Sequence, residues 1–220
     1  MLKVKTKSNK KFLNKKIKVG ITTQLVLAVL LFGLAVLLSR GDDMTTWEIS
    51  FFNIVYNQPE FLKPVFFVIT QAGSMHMLGL VLLIFFVIRR YDVVFKVLMT
   101  SLLAYLMVGF AKDVWGRMRP HDFLPNIVNL DYVVRGPGFP SGHTAMAVAM
   151  GLVLYDYLPK RYKFIVPVWI ILVGWSRLYL GVHAPLDIVG GFAIGWISYA
   201  LVKHLVIRNK IKSVMQKINN

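Results

Sequence analysis

The sequence predicts an all-α integral membrane protein, a bundle of six transmembrane helices with both termini cytoplasmic. The first observation is composition: 56% of the 220 residues are hydrophobic and 16% are charged, against roughly 45–50% and 25% in soluble domains. The second is that the apolar residues form blocks long enough for a bilayer core of about 30 Å. The third is the uneven distribution of Lys and Arg around these blocks. Together these observations exclude a disordered chain, a fibrous chain and an ordinary cytosolic enzyme.

Six apolar segments are predicted to cross the membrane: residues 19–39, 64–88, 93–111, 143–158, 164–182 and 185–207. The first follows a basic stretch, as a signal peptide would, but its apolar run exceeds the about 7–15 residues of a signal core and no small-x-small cleavage site follows. We therefore expect it to be retained. The predicted organisation is a basic cytoplasmic tail (1–18), a membrane domain (19–207) and a basic cytoplasmic C-terminal tail (208–220).

A short helix is also predicted in the loop at residues 44–58, where five residues lie at helical spacing, four of them apolar or aromatic: Trp47, Phe51, Ile54, Val55 and Gln58. Such a helix would lie in the membrane interface. An aromatic belt that only anchors the loop would produce the same pattern.

The basic residues predict the orientation. Nineteen of the 26 Lys and Arg residues lie in or beside the two tails and the loops that follow the second and fourth spans. The positive-inside rule places them in the cytoplasm and directs the loops at 40–63 and 112–142 outward. The net charge of +16 is therefore interpreted as a topology signal that contacts anionic membrane lipids, and binding to nucleic acid is not expected.

Three polar clusters fall on the predicted outer side, and the first runs from Lys112 to Pro120. Lys112 and Arg119 are seven residues apart, so on a helix they share one face, and Pro120 would end the helix. Two cations at a membrane surface make an anion site. Lys and Arg also anchor helix ends by snorkelling, and this cluster alone fits both roles.

The second cluster, Pro140-Ser141-Gly142-His143, opens the fourth span. Ser141 is a suitable N-cap, and the N–H groups of Gly142 and His143 would point outward from a helix N-terminus, where phosphate binds readily. An ordinary capped helix start would contain the same residues.

The third cluster joins Arg177, His183 and Asp187. His183 and Asp187 are four residues apart, so on a helix they meet on one face. A carboxylate bonded to one ring nitrogen leaves the other free to attack or to exchange protons. Arg177 could add a bidentate phosphate clamp, and Pro185 suits the first turn of a helix. A buried structural His–Asp pair is the alternative.

All three clusters lie on one side of a topology that was derived without them. The candidate residues singled out in them are one Lys, two Arg, one Ser, two His and one Asp, and the chain has no Cys. A single carboxylate and two His suit neither a two-cation site nor catalytic zinc, so no metal or cofactor is expected. The set favours metal-independent phosphoryl transfer through histidine.

These residues closely resemble the three-part signature of the type-2 phosphatidic acid phosphatase family: Lys112-x6-Arg119-Pro120, Pro140-Ser141-Gly142-His143 and Ser176-Arg177-x5-His183-x3-Asp187. No signature position departs from the pattern. The resemblance spans residues 112–187, and the hydropathy extends it to most of the chain. It implies a small bacterial lipid phosphatase of the plasma membrane with an outward-facing active site.

The resemblance also implies roles. His183 resembles the nucleophile that forms a phosphohistidine, and Asp187 its orienting partner. His143 resembles the general acid for the leaving oxygen and later the base for water. The other signature residues would hold the phosphate oxygens: Lys112, Arg119, Ser141, Gly142 and Arg177. Outside the signature, Arg117 and Arg135 are expected at the surface, with contact to a second phosphate or a headgroup as the alternative.

The leading prediction is dephosphorylation of phosphatidylglycerol phosphate, undecaprenyl diphosphate or phosphatidic acid at the outer face of the membrane. A lipid phosphotransferase, in which an alcohol replaces water, would use the same intermediate. A non-catalytic lipid-binding or transport protein is the third possibility. The presence of His143, His183 and Asp187 argues against it, and a transporter would more often have broken helices and repeated halves.

Overall fold

The computed structural model describes residues 2–39, 43–131 and 136–219, with side chains described at residues 20–39, 43–131 and 136–208. Within these ranges all regular structure is helical. The α-helices are α1 (Leu2–Leu38), α2 (Thr46–Tyr56), α3 (Lys63–Gln71), α4 (Met75–Val87), α5 (Tyr91–Trp115), α6 (Pro120–Phe123), α7 (Gly142–Tyr157), α8 (Ile165–Tyr179) and α9 (Pro185–Asn219). Arg135 and the side chains of most of both predicted tails lie outside the described residues.

Each predicted span coincides with a helix, except that the second is divided into α3 and α4. By length and composition, three segments of the described chain are able to cross a membrane: Gly20–Leu38, Tyr91–Phe123 and Pro185–Arg208. The bent pair Glu60–Gln71 and Met75–Val87, with 51° between its halves, makes a fourth if it is counted as one span. The helix predicted in the first loop is confirmed as α2, although its place relative to the membrane stays a prediction.

The shortest predicted spans, α7 and α8, contain 16 and 15 residues. At a rise of 1.5 Å per residue they are about 24 and 22 Å long, less than the about 30 Å that a lone span must cover. Neighbouring helices shield α7, because it packs against α5, α8 and α9. Six crossings therefore stay a prediction for the bundle as a whole.

Large apolar side chains cover the outward faces of the outer helices. Leu30 on α1, Phe110 on α5 and Ile171 on α8 are 64%, 69% and 63% exposed. A soluble monomer rarely exposes apolar surface on this scale, whereas lipid chains solvate it. The chain is a multi-pass membrane protein.

Two glycines in the N-terminal part of α9 lie against the start of α7. A Cβ added at Gly191 would meet the backbone carbonyl of Ser141, and one at Gly195 would lie 2.5 Å from the carbonyl oxygen of Ala145. The missing side chains thus permit a close approach of the two helices. A hydrogen bond from the Ser141 N–H to the Asp187 carbonyl, 2.9 Å long, joins their starts directly.

Candidate active site

A buried histidine and carboxylate form the centre of the site. His183 Nδ1 lies 3.2 Å from Asp187 Oδ2, and the two residues are 2% and 0% exposed. The pairing was predicted, but its predicted cause, a shared helix face, is wrong, because α9 begins at Pro185. Asp187 instead lies in the first turn of α9, and its Oδ2 also accepts the N–H of Ala184 at 2.9 Å. The carboxylate therefore fixes the residues that precede the helix.

The second ring nitrogen of His183 faces positive charge. Its Nε2 lies 3.5 Å from Arg119 Nη1. Burial lowers the pKa of the His183 imidazole well below its ordinary value, and the neighbouring cations lower it further: Arg119, Arg177 and Lys112. The ring is consequently neutral at physiological pH. With the proton on Nδ1, towards the carboxylate, Nε2 carries the free lone pair.

The first cluster reaches this histidine by a route that the sequence did not indicate. We expected helix as far as Pro120, but α5 ends at Trp115, and Gly116 follows in the left-handed region at φ 50°. Four residues earlier than expected, the chain turns back over the site. Arg119 therefore does not share a helix face with Lys112, yet its Nη1 donates to the Val182 carbonyl at 2.7 Å, beside His183.

Lys112 and Arg119 both hold the segment that leads into α7. Arg119 Nε donates to the Gly136 carbonyl at 2.8 Å and Nη2 to that of Pro137 at 3.2 Å. Lys112 Nζ donates to the same Pro137 carbonyl and to that of Gly138. A guanidinium has five N–H bonds. With the bond to Val182, Arg119 uses three of them, which leaves two for an anion, one of which is on the nitrogen that faces His183 Nε2.

The start of α7 completes the predicted phosphate-binding set. Ser141 is the N-cap, and its Oγ accepts from the N–H and hydroxyl of Thr144 at 3.4 and 3.0 Å. The first N–H groups of a helix have no intrahelical acceptor, which leaves those of Gly142 and His143 available to an anion. The His143 ring is near enough to His183 to act on it electrostatically.

Arg177 is held by partners that were not predicted. Its Nη1 donates to Thr70 Oγ1 and to Asp131 Oδ2, both at 2.7 Å. The guanidinium is almost fully buried, and its Nε has no hydrogen-bond partner within the described part of the chain. The predicted phosphate clamp must therefore use the nitrogens that Thr70 and Asp131 leave free.

The largest difference from the prediction concerns Arg117, which we expected at the surface. It is 2% exposed, and its guanidinium forms a two-point pair with Glu48, at 2.8 and 3.1 Å. Arg117 Nη1 also donates to Asp187 Oδ1 at 3.4 Å. Glu48, which is fully buried, thus reaches the carboxylate that faces His183 through a single arginine.

Glu48 was missed because only its role in a helix start is visible in the sequence. Thr45-x-x-Glu48 has the spacing of a capping box, and Glu48 Oε2 accepts the Thr45 N–H at 3.1 Å. Its other oxygen accepts the Leu186 N–H at 3.2 Å. The same side chain therefore begins α2 and ties it to the first turn of α9.

Charge at the site favours an anion. Four cations (Lys112, Arg117, Arg119 and Arg177) are grouped with the carboxylates of Glu48, Asp131 and Asp187. Arg117 is paired with Glu48 and Arg177 with Asp131, whereas Lys112 and Arg119 have no side-chain ion pair with a carboxylate within the part of the chain that the structure describes. Among the described residues, no three His, Cys, Asp or Glu side chains are grouped so as to hold a metal ion. A neutral imidazole beside two unpaired cations can attack an anionic electrophile.

Comparison with known proteins identifies the family. Residues 93–211, slightly more than half of the chain, match the PAP2 superfamily. The chain belongs to this superfamily. The predicted resemblance to type-2 phosphatidic acid phosphatases is thereby confirmed. All three polar clusters lie inside the matched range, whereas α1 to α4, with Glu48 and Thr70, precede it.

Individual relatives of this PAP2 protein are phosphatases. It is 33% identical over 179 residues to phosphatidylglycerophosphatase B of Bacillus subtilis, covering 74% of this chain and 83% of the relative. It is 25% identical over 182 residues to an undecaprenyl-diphosphatase of Sulfolobus acidocaldarius, covering 81% and 88%. A crystal structure of a PAP2-type phosphatidylglycerolphosphate phosphatase from Bacillus subtilis superposes with a TM-score of 0.70 and 26% identity, covering 84% of this chain and 96% of that one. The activity of this PAP2 protein is therefore that of a phosphatase.

Proposed function

We propose that this phosphatase hydrolyses a phosphate monoester or diphosphate of a membrane lipid through a phosphohistidine on His183. The observation that carries the proposal is the buried His183 ring, which has Asp187 at Nδ1 and the Arg119 guanidinium 3.5 Å from Nε2. Phosphatidylglycerol phosphate, undecaprenyl diphosphate and phosphatidic acid are the candidate substrates. The names of the two relatives support the first two.

The first step transfers the phosphoryl group to the enzyme. The substrate phosphate replaces the contact between Arg119 and Nε2 and binds Lys112, Arg119 and the N–H groups at the start of α7. His183 Nε2 attacks phosphorus while the bond to the lipid oxygen breaks, and His143 gives that oxygen a proton. The ring becomes positively charged, and the Asp187 carboxylate stabilises it.

The second step releases phosphate. Water takes the place of the departed lipid, and His143, which lost its proton in the first step, now accepts one from that water. The hydroxide oxygen bonds to phosphorus as the bond to Nε2 breaks. Inorganic phosphate leaves, and His183 is again neutral with its proton on Nδ1.

Catalysis without a metal ion is part of the proposal. In many phosphoryl transferases magnesium neutralises the charge on the transferring oxygens. Here Lys112 and Arg119, which have no ion pair with a carboxylate among the described side chains, are suited to the same task. The carboxylates of the site are engaged by Arg117, Arg177 and His183, so none is left free as a metal ligand.

An open apolar groove beside the site supports a lipid as the substrate. It has a volume of about 350 Å³ and lies between α1, α5 and α9, where Phe32, Met107, Trp115 and Ile194 line it. The end of the groove at Trp115 and Phe32 adjoins the site, because both side chains contact the ring of Phe139, two residues before Ser141. An acyl or prenyl chain in this groove would bring its phosphate towards Lys112.

The proposed setting is the plasma membrane of a bacterium, with six spans, cytoplasmic termini and the site at the outer face. The distribution of basic residues supports this orientation, since nineteen of 26 lie on the side opposite the three clusters. A substrate would reach the site from the outer leaflet.

The deciding experiment measures phosphate release by the purified protein from the three lipid phosphates, with EDTA present throughout. We expect release that survives EDTA, stops with orthovanadate and is absent in His183→Ala. Acid quenching during turnover should trap acid-labile phosphate on the wild-type protein. Activity that returns only when magnesium or zinc is added would contradict the proposal.

A matched pair of variants tests the groove. Met107→Trp should fill it and lower kcat/KM for a lipid phosphate while preserving that for p-nitrophenyl phosphate, which has no chain. Leu98→Trp is the control, because Leu98 is on the same helix, is 39% exposed and does not line the groove. Equal losses on both substrates in Met107→Trp would show that the groove does not hold the lipid chain.

A further inference from the structure

A small cavity with both polar and apolar walls lies at the opposite end of the helices that carry the candidate active site. It has a volume of about 110 Å³ and is enclosed by α5, α7 and α9. Lys96, which lines it, precedes Lys112 by 16 residues on α5, and Lys203 follows Asp187 by 16 residues on α9. At 1.5 Å per residue the cavity is about 24 Å from the active site, too far for any direct role in catalysis.

Two pairs of side chains face each other across this cavity. Lys96 and Thr100 are one turn apart on α5, and Tyr199 and Lys203 are one turn apart on α9. Asp156 on α7 lies between them and accepts hydrogen bonds from Tyr199 and Lys203, both at 2.9 Å. The α9 pair is thus already satisfied by a carboxylate.

The α5 pair is not. The Thr100 side chain is 0% exposed, and its Oγ1 has no hydrogen-bond partner within the described part of the chain. The Lys96 ammonium donates to the hydroxyl of Tyr157 and has no carboxylate within ion-pair distance among the described residues. Buried polar groups are nearly always paired, so the Thr100 hydroxyl without a partner, one turn from an ammonium without a carboxylate, indicates an absent acceptor.

The surroundings specify the charge of that acceptor. The cations at this end outnumber the carboxylates and lie over tyrosine rings: Arg90, Lys96, Lys163 and Lys203, against Asp92 and Asp156. Asp92 is paired with Arg90 at 3.2 Å. The field in the cavity therefore favours an anion, and a group with several acceptor oxygens can bond the ammonium and the hydroxyl together.

The remaining walls specify what carries the anion. They are apolar and extend along α9 towards the end of the bundle: Val153, Val202, Val206 and Ile207. A separation of about 24 Å from the active site is close to the thickness of a bilayer core, so the cavity lies near the headgroups of the opposite leaflet. A phosphate that enters from there belongs to a lipid.

We infer that this cavity binds the phosphate of an anionic phospholipid, which is not a substrate. The phosphate bonds Lys96 Nζ and Thr100 Oγ1, and one lipid chain lies against Val202 and Val206. Because the cavity joins α5, α7 and α9, the bound lipid stabilises the three helices whose other ends form the active site.

The test measures thermal unfolding of the delipidated full-length protein in detergent, with phosphatidylglycerol or phosphatidylcholine of identical chains added. Phosphatidylglycerol should raise Tm and phosphatidylcholine should not. Any stabilisation by inorganic phosphate, which the proposed active site would also bind, should be equal in the wild type and in the double variant described next. In the double variant Lys96→Gln/Thr100→Val the apparent Kd for phosphatidylglycerol should weaken about tenfold or more. Lys163→Gln is the matched control, because Lys163 is a cation at the same end that does not line the cavity.

Each alternative outcome is decisive. Equal stabilisation by both lipids, or a wild-type response in the double variant, would overturn the inference. Stabilisation by inorganic phosphate that is lost in the double variant would show an anion site in this cavity without a lipid. If the double variant does not fold, Thr100→Val alone, which removes only the hydroxyl, must still weaken the response, and Lys96→Arg must preserve it. All variants should hydrolyse p-nitrophenyl phosphate at the wild-type rate when no lipid is added.

Discussion

The proposed role of His183 as nucleophile depends on the different surroundings of its two ring nitrogens. The Asp187 carboxylate faces Nδ1 and Arg119 faces Nε2, so the neutral tautomer that leaves Nε2 unprotonated is favoured. Burial and nearby cations make protonation unfavourable, which lowers the pKa of the ring. The charge that would bind a phosphate therefore also keeps the proposed nucleophile neutral.

The proposed role of His143 predicts a dependence on the leaving group. A lipid alkoxide needs a proton in the transition state, assistance that is worth about 10²–10⁴-fold, whereas nitrophenolate leaves without it. His143→Ala should lose most activity on a lipid monophosphate but form phosphoenzyme from p-nitrophenyl phosphate in a burst and then stall. Rapid mixing with nitrophenol and protein-bound phosphate measured together would show this. Equal losses on both substrates, with no phosphoenzyme, would assign His143 another role.

The low pKa of His183 predicts a shift in pH dependence. Lys112→Gln removes one of the charges that oppose protonation, so the pKa should rise towards its ordinary value. The neutral ring is then lost at a higher pH, and the acid limb of kcat/KM should move upward, in addition to a uniform loss from weaker phosphate binding. Profiles between about pH 4 and 8 would measure it. The exposed Lys63→Gln should keep the wild-type limb, and an unmoved limb in Lys112→Gln would contradict the prediction.

At the scale of elements, α2 connects the loop between the first two spans to the candidate active site through Glu48. Glu48 begins this helix, holds Arg117 by two hydrogen bonds and accepts the Leu186 N–H of α9. Arg117 in turn contacts Asp187. The position of α2 is thereby linked to the carboxylate that orients His183, through groups that are all buried.

Glu48→Gln tests this link. The substitution leaves the Arg117 guanidinium buried without its carboxylate, and removing one partner of such a pair destabilises by about 3–5 kcal/mol. We expect a lower Tm and a lower kcat, because Arg117 can then draw Asp187 away from His183. Glu60→Gln, an exposed change in the same loop, should stay within about 0.5 kcal/mol of wild type. Equal effects of the two variants would show that α2 does not position Asp187 for catalysis.

At the scale of the whole molecule, the two ends of the bundle differ in chemistry. At one end the signature residues surround His183. At the other end cations lie over tyrosine rings and line the cavity between α5, α7 and α9. Between them lies the apolar length of α5, α7 and α9. A lipid phosphatase with this arrangement would take its substrate from one leaflet and bind a stabilising lipid from the other.

Orientation can be tested with single cysteines, since the chain has none. Cysteine at Asn57, which is exposed beyond α2, should react with a membrane-impermeant maleimide added to intact cells. Cysteine at Arg161, exposed in the turn between α7 and α8, should react only after the cells are opened. The opposite result would place the active site in the cytoplasm and replace the outer leaflet as the source of substrate.

The sequence alone determined the positions of the long helices and the membership of the signature cluster. In hydrocarbon every backbone polar group must be bonded within its own segment, so an apolar block of about 20 residues forms a helix regardless of its neighbours. Local chemistry also sufficed for the Ser141 cap and for the start of α9 at Pro185. The family signature then supplied roles that composition and spacing left open.

Only the tertiary structure decided which buried charges are partners. Arg117 and Glu48 are 69 residues apart, and Arg177 and Asp131 are 46 apart. No periodicity relates such positions, because an ion pair between distant segments depends on where helix packing places them. The turn at Gly116, which directs Arg119 to His183, was equally hidden, since the left-handed conformation that ends α5 is one option among several for a glycine. The candidate catalytic residues could therefore be identified from the sequence, whereas the residues that hold them in place could be identified only from the folded structure.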